Sequence, residues 1–240
     1  MSRKYIWCGL IIVGLGGAFG DTIVAAIEVN MRLSVSLSGL LMFLPVLYEF
    51  FVQHRDPLTH YGITIRNLSL VDVPRKTLLI ATILFFASAL AVMRLTPELA
   101  SFANSNQAAR PGGAGQALTR ASWVLAIPLG LIVTAAVALN EEIWFRGVIQ
   151  MKLLQVKPLV SLNPTSALVA QAVLFGLAHA LPFAGLSGLT SIALIAFVST
   201  MLAALAFGYL AYRTHSVLPG WYVHWGANFL AFCTFRLGLY

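Results

Sequence analysis

The chain has 240 residues, of which 59% are hydrophobic and 10% are charged, and its mean hydropathy is +0.86. Soluble domains carry about 25% charged residues, so this composition excludes an ordinary soluble enzyme or binding domain. The net charge is +7, but Lys and Arg are scattered between apolar runs, without the clustered basic face that nucleic-acid binding needs. We therefore expect an integral membrane protein surrounded by the lipid bilayer, with no nucleic-acid partner.

The N-terminal segment and the cysteines add little chemistry. Arg3 and Lys4 precede the first apolar run, as in a secretory signal, but apolar residues continue past Asp21. We therefore interpret this segment as a spanning helix that is retained. Cys8 and Cys233 both fall in apolar runs, which predicts neither a disulfide framework nor a CxxC metal site.

Apolar runs of about 20 residues, long enough to cross roughly 30 Å of hydrocarbon as helix, recur along the chain. They predict spans at 5–29, 33–51, 77–93, 121–156, 164–181, 190–212 and 216–235. Most Lys and Arg residues fall in connections that would lie on the same side of the membrane as the N-terminus. Connections rich in Lys and Arg favour the cytoplasmic side, so the sequence predicts a cytoplasmic N-terminus. The expected fold is an all-α polytopic bundle of about seven or eight helices, forming one integral membrane domain over residues 1–240.

Two adjacent carboxylates and an arginine occur in the sequence LNEEIWFRGV, directly after residues 121–139, which carry no charge. A charge in hydrocarbon costs several kcal/mol unless it is paired or hydrated, so these residues are candidates for a functional site. Residues four apart lie on one face of an α-helix, so Arg146 is expected to pair with Glu142. Glu141 points to a different face and is left to meet another helix or a water.

Two later runs also place polar side chains on helix faces. In FGLAH, Phe175 and His179 are four residues apart, and in HWGAN, His224 and Asn228 are four apart. Glu141 and His179 both lie about 24 Å from the turn between the fourth and fifth spans, at 1.5 Å per residue. Adjacent antiparallel helices would therefore place them at the same depth, with the pair on the last span somewhat shallower. The sequence predicts one cavity lined by these groups, with Phe175 packed beside His179.

Each motif also has a purely structural interpretation, and two other functions are possible. Histidines in membrane helices often only join neighbouring helices by hydrogen bonds, and a Glu and an Arg four apart commonly neutralise each other. Zinc bound by Glu141, His179 and His224 is an alternative, since these are acceptable ligands, although there is no HExxH and Asn228 is a poor ligand. A transporter or a scaffold is the non-catalytic alternative, but no internal repeat is found.

The three motifs, in this order, resemble those of the CaaX protease and bacteriocin-processing (CPBP) family. EEIWFR matches EExxxR, FGLAH matches FxxxH and HWGAN matches HxxxN. The resemblance covers about residues 121–236 as a catalytic core and leaves the spanning helices of residues 5–93 outside it. It implies an intramembrane glutamic endopeptidase without a cofactor, in the bacterial inner membrane. The substrate would be a membrane-associated protein or peptide, cleaved in a C-terminal tail or leader.

The resemblance also implies roles for individual residues. Glu141 would activate a water as general base, and His179 would help to orient and polarise it. His224 and Asn228 would stabilise the oxyanion. Three further residues would support the site structurally: Glu142, Arg146 and Phe175. The resemblance leaves open a prenylated CaaX tail, a bacteriocin leader or a C-terminal sorting tail as substrate, and it includes non-catalytic roles in bacteriocin immunity.

Overall fold

The structure is a computed structural model that describes residues 47–53 except 49, residues 57–64, most of residues 73–86, and residues 123–151, 162–187 and 190–237. Every regular element among these residues is a helix, and no strand occurs in them. The all-α class is therefore confirmed for this part of the chain. The predicted span 5–29 and parts of the spans 33–51 and 77–93 lie outside the described residues. The helix count and the single domain over residues 1–240 thus stay predictions.

The helices follow the order expected from the apolar runs. The elements are α1 (Pro57–His60), α2 (Trp123–Glu142), the π-helix π1 (Ile143–Met151), α3 (Pro164–Ser187), α4 (Thr190–Thr214) and α5 (Leu218–Leu237). Residues 47–51, except 49, and most of residues 75–86 are also helical. The last three predicted spans, 164–181, 190–212 and 216–235, correspond to α3, α4 and α5.

Two of the described helical stretches, Ile127–Met151 and Ala193–Thr214, are long and apolar enough to cross a membrane. Pro164–Ala180 is a shorter apolar helix. Large apolar side chains on these helices are exposed, among them Ile132 and Leu194, and helices that are apolar on all sides are typical of a membrane interior. Length and composition of the described helices therefore support a membrane location.

The fourth predicted span, 121–156, is helical from Trp123 to Met151, the part that the structure describes, but its second part is a π-helix where the sequence predicts an α-helix. The α-helix ends at Glu142, and π1 follows from Ile143 to Met151, with backbone hydrogen bonds between residues five apart. Residues 152–161 lie outside the described part of the chain. All residues from 142 to 150 are buried, and π1 packs against α3 and α4. π-Helical segments occur frequently at functional sites.

The start of α3 follows from its first residues. The side chain of Asn163 accepts a hydrogen bond from the backbone N–H of Ser166 at 2.8 Å, which satisfies a donor that a helix N-terminus leaves free. Pro164 occupies the first helical position, where its fixed φ is favourable and no N–H is needed. This capped start sets where α3 begins and therefore where His179 lies along it.

The start of α5 is anchored by the connection that precedes it. His215 has a positive φ of 51°, which His adopts more readily than most residues. The Ser216 hydroxyl donates to the Gly62 carbonyl at 2.8 Å and accepts from the Leu218 N–H at 3.2 Å. Gly62 has a φ of 68°, and a Cβ there would collide with the His215 carbonyl oxygen, so only glycine fits. These contacts fix the first turn of α5 against the segment that follows α1.

Two buried glutamines connect π1 and α3 to α4. The Gln150 amide donates to the Gly208 carbonyl at 2.8 Å, and the Gln171 amide donates to the Ala204 carbonyl at 2.9 Å. The acceptors lie four residues apart on α4, so both glutamines bind one face of that helix. Polar contacts of this kind join helices where apolar packing alone gives little preference for one partner. They help to fix the three helices around the residues described next.

Candidate active site

The helix α5 packs antiparallel to α2, and two tryptophans mark this arrangement. The Trp221 indole N–H donates to the Ala135 carbonyl at 2.9 Å, and the Trp225 indole N–H donates to the Leu131 carbonyl at 3.0 Å. One turn forward along α5 therefore corresponds to one turn backward along α2. The two indole rings stack at 5.4 Å between centroids. This contact places the HWGAN segment of α5 beside the carboxylates at the end of α2.

Glu141, His179 and His224 converge from three different helices. The Glu141 Oε2 atom lies 3.8 Å from His179 Nε2 and 3.6 Å from His224 Nε2. The His179 side chain is 34% exposed and the Glu141 side chain 21% exposed, whereas that of His224 is only 4% exposed. The cluster is therefore recessed but accessible from the side of Glu141 and His179. The structure brings together the three polar groups that the motifs single out on separate helices.

His179 is oriented by its own helix. Its Nδ1 lies 2.9 Å from the Phe175 carbonyl oxygen, and a carbonyl can only accept, so Nδ1 carries the proton. The Phe175 ring packs beside the imidazole at 4.3 Å between centroids, as the four-residue spacing predicts. In the neutral form, His179 therefore presents the lone pair of Nε2 toward Glu141.

His224 is oriented by Glu142, a contact that the sequence does not predict. Its Nδ1 lies 3.0 Å from Glu142 Oε1, and both side chains are buried. An ionised carboxylate can only accept, so Nδ1 of His224 is the donor and Nε2 faces Glu141. The residue spacing assigns Glu142 to Arg146 alone, because the contact with His224 depends on how α5 packs against α2.

Arg146 forms the ion pair with Glu142 that the spacing predicts, even though the segment is π-helical. Its Nη1 lies 3.2 Å from Glu142 Oε1, and both side chains are fully buried. The guanidinium also lies over two aromatic rings, 4.4 Å from the centroid of Phe175 and 5.4 Å from that of Phe207. Cation–π contacts of buried groups contribute about 2 kcal/mol each. No hydrogen bond within the described residues satisfies the guanidinium nitrogens, so the carboxylate and the two rings are its described partners.

Gly220 and Phe207 belong to this site but carry no recognisable signal in the sequence. A Cβ on Gly220 would lie 2.7 Å from Glu142 Oε2 and 3.3 Å from the Phe207 Cβ, so glycine allows α5 to approach Glu142. Phe207 stacks with His224 at 5.9 Å between ring centroids, and Phe85 lies at 5.4 Å. The Pro-Gly pair at the start of α5 hints at a close approach, but it does not identify the partner.

Asn228 lies one turn after His224 on α5 and is half-buried. Its amide makes no hydrogen bond to any other described residue. Four residues along an α-helix return to the same face, so Asn228 shares the face of α5 that carries His224. Asn228 is therefore a candidate hydrogen-bond donor on the face of α5 that carries His224.

The cluster has a surplus of hydrogen-bond acceptors. With both Nδ1 atoms donating elsewhere, neutral His179 and His224 face Glu141 with the lone pairs of Nε2. The distances of 3.6 and 3.8 Å exceed those of direct hydrogen bonds, and Glu141 Oε2 has no partner among the described residues. A molecule with two donors, such as water, suits this arrangement.

Within the described residues, no group of three or more His, Cys, Asp and Glu side chains is arranged to hold a metal ion.

Comparison with known proteins points to a family of membrane proteases. Residues 122–230 match the model of a family described as Rce1-like type II CAAX prenyl endopeptidases. No curated protein and no solved structure matches the chain. The matched segment runs from α2 into α5 and so includes all four polar residues of the cluster and its neighbourhood: Glu141, His179, His224 and Asn228.

Proposed function

We propose that the chain is an intramembrane endopeptidase of the glutamic type, because residues 122–230 match the Rce1-like family of CAAX prenyl endopeptidases, a family of membrane-embedded proteases. It hydrolyses a peptide bond in a C-terminal tail or leader of a membrane-associated protein or peptide. We place it in the bacterial inner membrane with a cytoplasmic N-terminus and without a cofactor.

The observation that carries this proposal is the convergence of one carboxylate and two imidazoles inside an apolar helix bundle. Glu141 Oε2 lies within 3.8 Å of both Nε2 atoms. The cost of placing such groups among apolar helices makes a functional use the default interpretation. A structural ion pair accounts for Glu142 and Arg146, but it leaves Glu141 without a described hydrogen-bond partner.

In the proposed reaction Glu141 removes a proton from a water molecule, and the oxygen attacks the carbonyl carbon of the scissile bond. His179 accepts the second hydrogen bond of that water at Nε2 and so orients it. General base catalysis of this kind contributes about 10²- to 10⁴-fold. The Asn228 amide donates to the oxyanion, and a single such donor contributes roughly 3 to 4 kcal/mol. In the role expected from the family, His224 assists Asn228.

The substrate must present its scissile bond in an extended conformation. Backbone carbonyls within a helix are already hydrogen-bonded along the helix, which shields them from attack. The partial exposure of Glu141 and His179 supports access from one side of the cluster. A C-terminal tail or a leader peptide is easily extended, whereas the middle of a stable helix is not. This is why we favour a tail or leader as the substrate.

The alternative enzymatic function is a zinc-dependent peptidase in which Glu141, His179 and His224 bind the metal. Imidazole nitrogen and carboxylate oxygen suit zinc, although a group of three or more such side chains in a metal-binding arrangement is not found among the described residues. Cleavage by the purified protein in the presence of a strong chelator distinguishes the two. We expect cleavage to persist. Loss of cleavage that zinc alone restores would establish the metal enzyme instead.

Intact mass spectrometry of membrane proteins and peptides from cells with and without this protein tests the proposed activity. We expect precursors that lack a terminal segment only when the protein is present. The purified protein in lipid vesicles should then cleave the same precursor at the same bond. An identical set of masses in both cells, together with no cleavage in vesicles, would favour a non-catalytic role in immunity, transport or scaffolding.

A further inference from the structure

The contact between Glu142 and His224 determines what His224 can do in the reaction. Its Nδ1–H donates to Glu142 Oε1 at 3.0 Å, so neutral His224 has only a lone pair at Nε2. In that form it accepts a proton but donates no hydrogen bond to an oxyanion. His224 therefore fits the family role of oxyanion donor only after it has taken up a proton.

The surroundings of His224 place a carboxylate against its Nδ1. Glu142 is an anion at hydrogen-bond distance and accepts the Nδ1–H in both protonation states. A carboxylate in this position fixes the tautomer and stabilises an imidazolium, as in hydrolase triads. Arg146 fixes Glu142 from the other side at 3.2 Å. His179, by contrast, donates its Nδ1–H only to a neutral backbone carbonyl.

The route for the proton is short. His224 Nε2 lies 3.6 Å from Glu141 Oε2, the atom that receives the proton of the attacking water in the proposed reaction. The side chain is 4% exposed and is surrounded by the rings of Phe85, Phe175 and Phe207. Bulk water thus has little access to the imidazole.

We propose that Glu142 is a positioning residue that makes His224 the proton carrier of the reaction. In this role His224 receives the proton that Glu141 takes from water and transfers it to the leaving amine. This inference rests on the proposed function: Asn228 donates to the oxyanion from the start, and His224 can join it only once it carries the proton.

The proposed steps balance as a hydrolysis. Glu141 takes one proton from water while the water oxygen forms a bond to the carbonyl carbon, and the carbonyl electron pair moves onto oxygen. The proton then passes from Glu141 Oε2 to His224 Nε2, once the two atoms approach from 3.6 Å to hydrogen-bond distance. When the carbonyl re-forms, the C–N bond breaks and its electron pair leaves on nitrogen, which takes the proton from His224. Glu141 and His224 return to their starting states, and the product acid carries the second proton of the water.

Two substrates with the same acyl part but different leaving groups test this assignment. A peptide needs a proton on its leaving nitrogen, whereas an aryl ester leaves as a stable phenolate without one. We expect Glu142→Gln to lower kcat for the peptide by about 10²-fold or more, the range of acid–base catalysis. For the ester, kcat should change much less, and KM should stay similar for both. Asn228→Ala is the matched control, and it should slow both substrates to a similar degree.

A second variant covers the case in which Glu142→Gln fails to fold because Arg146 loses its partner. His224→Gln leaves the pair of Glu142 and Arg146 in place and should show the same selective loss for the peptide. Equal losses on peptide and ester in the folded variant, or no loss at all, would overturn the inference. The proposed function has a separate test, because normal peptide cleavage by Glu141→Gln would contradict it whatever the Glu142 and His224 variants do.

Discussion

Two neighbouring carboxylates, Glu141 and Glu142, have different environments and different expected roles. Glu142 is fully buried between Arg146 and His224, so its charge is compensated on two sides. Glu141 is partly exposed and faces the Nε2 atoms of two histidines. Their side chains point in different directions because consecutive helical residues are rotated relative to each other. One carboxylate therefore belongs to the scaffold of the site, and the other is available for chemistry.

Replacement of Arg146 by Ala should destabilise the protein, because it leaves the buried Glu142 carboxylate without its cation. Breaking a buried pair costs about 3–5 kcal/mol, and loss of the contacts with Phe175 and Phe207 adds to this. Thermal unfolding in detergent measures the effect. Arg213→Ala, which removes the same side chain from an exposed position, should change the free energy of unfolding by no more than about 0.5 kcal/mol. Equal stability of the two variants would show that the buried pair is dispensable.

Replacement of His179 by Asn should reduce activity much more than stability. The side chain is one-third exposed, so its removal creates little cavity, but the Nε2 atom facing Glu141 is lost. We expect peptide cleavage to fall by about 10²-fold or more, measured with the variant reconstituted in vesicles. His215→Asn is the matched control, since it lies in an exposed turn with positive φ that Asn also tolerates. Comparable activity of both variants would remove His179 from the site.

The packing of α5 against the end of α2 determines how His224 meets Glu141 and Glu142. The two tryptophan hydrogen bonds fix the antiparallel pairing, and Gly220 permits close approach to Glu142. The anchored start of α5 at Ser216 and Gly62 adds a constraint from a distant part of the chain. A change in this packing should therefore alter activity even where no polar group is removed.

Gly220→Ala tests this close approach. The new methyl group would lie 2.7 Å from Glu142 Oε2, so either α5 or the carboxylate must move. We expect a loss of about 1–3 kcal/mol in stability, as for other overpacked sites, together with lower activity. Gly226→Ala on the same helix is the control, since a Cβ there meets nothing within 4 Å, and it should leave activity unchanged. If Gly220→Ala retained full activity and stability, the approach of α5 would not limit the site.

The sequence predicts the elements better than their local geometry. Runs of apolar residues locate α3, α4 and α5, because membrane helices need length and apolar composition. Runs of apolar residues do not distinguish a π-helix from an α-helix, so they do not predict the π-helical geometry of Ile143–Met151. The four-residue spacing correctly pairs Arg146 with Glu142 and Phe175 with His179, since these contacts lie within one element.

At the scale of the whole molecule, the sequence predicts some contacts between helices and misses others. Equal distances from a turn predict that Glu141 and His179 meet, and the structure places them 3.8 Å apart. The bond between His224 and Glu142, and the aromatic rings of Phe207 and Phe85 around His224, depend on the arrangement of four segments distant in sequence. The family match over residues 122–230 covers the motifs that the sequence singles out. The substrate and the orientation in the membrane stay proposals.

The central claim is that Glu141 is the base that activates water for peptide hydrolysis. The most direct measurement compares wild type with Glu141→Gln, which keeps the size of the side chain but removes the base. Both proteins are reconstituted in vesicles with the same precursor, and the products are followed by intact mass. We predict that Glu141→Gln has an unchanged unfolding temperature and loses cleavage by at least about 10²-fold. Cleavage at the wild-type rate by this folded variant would contradict the account.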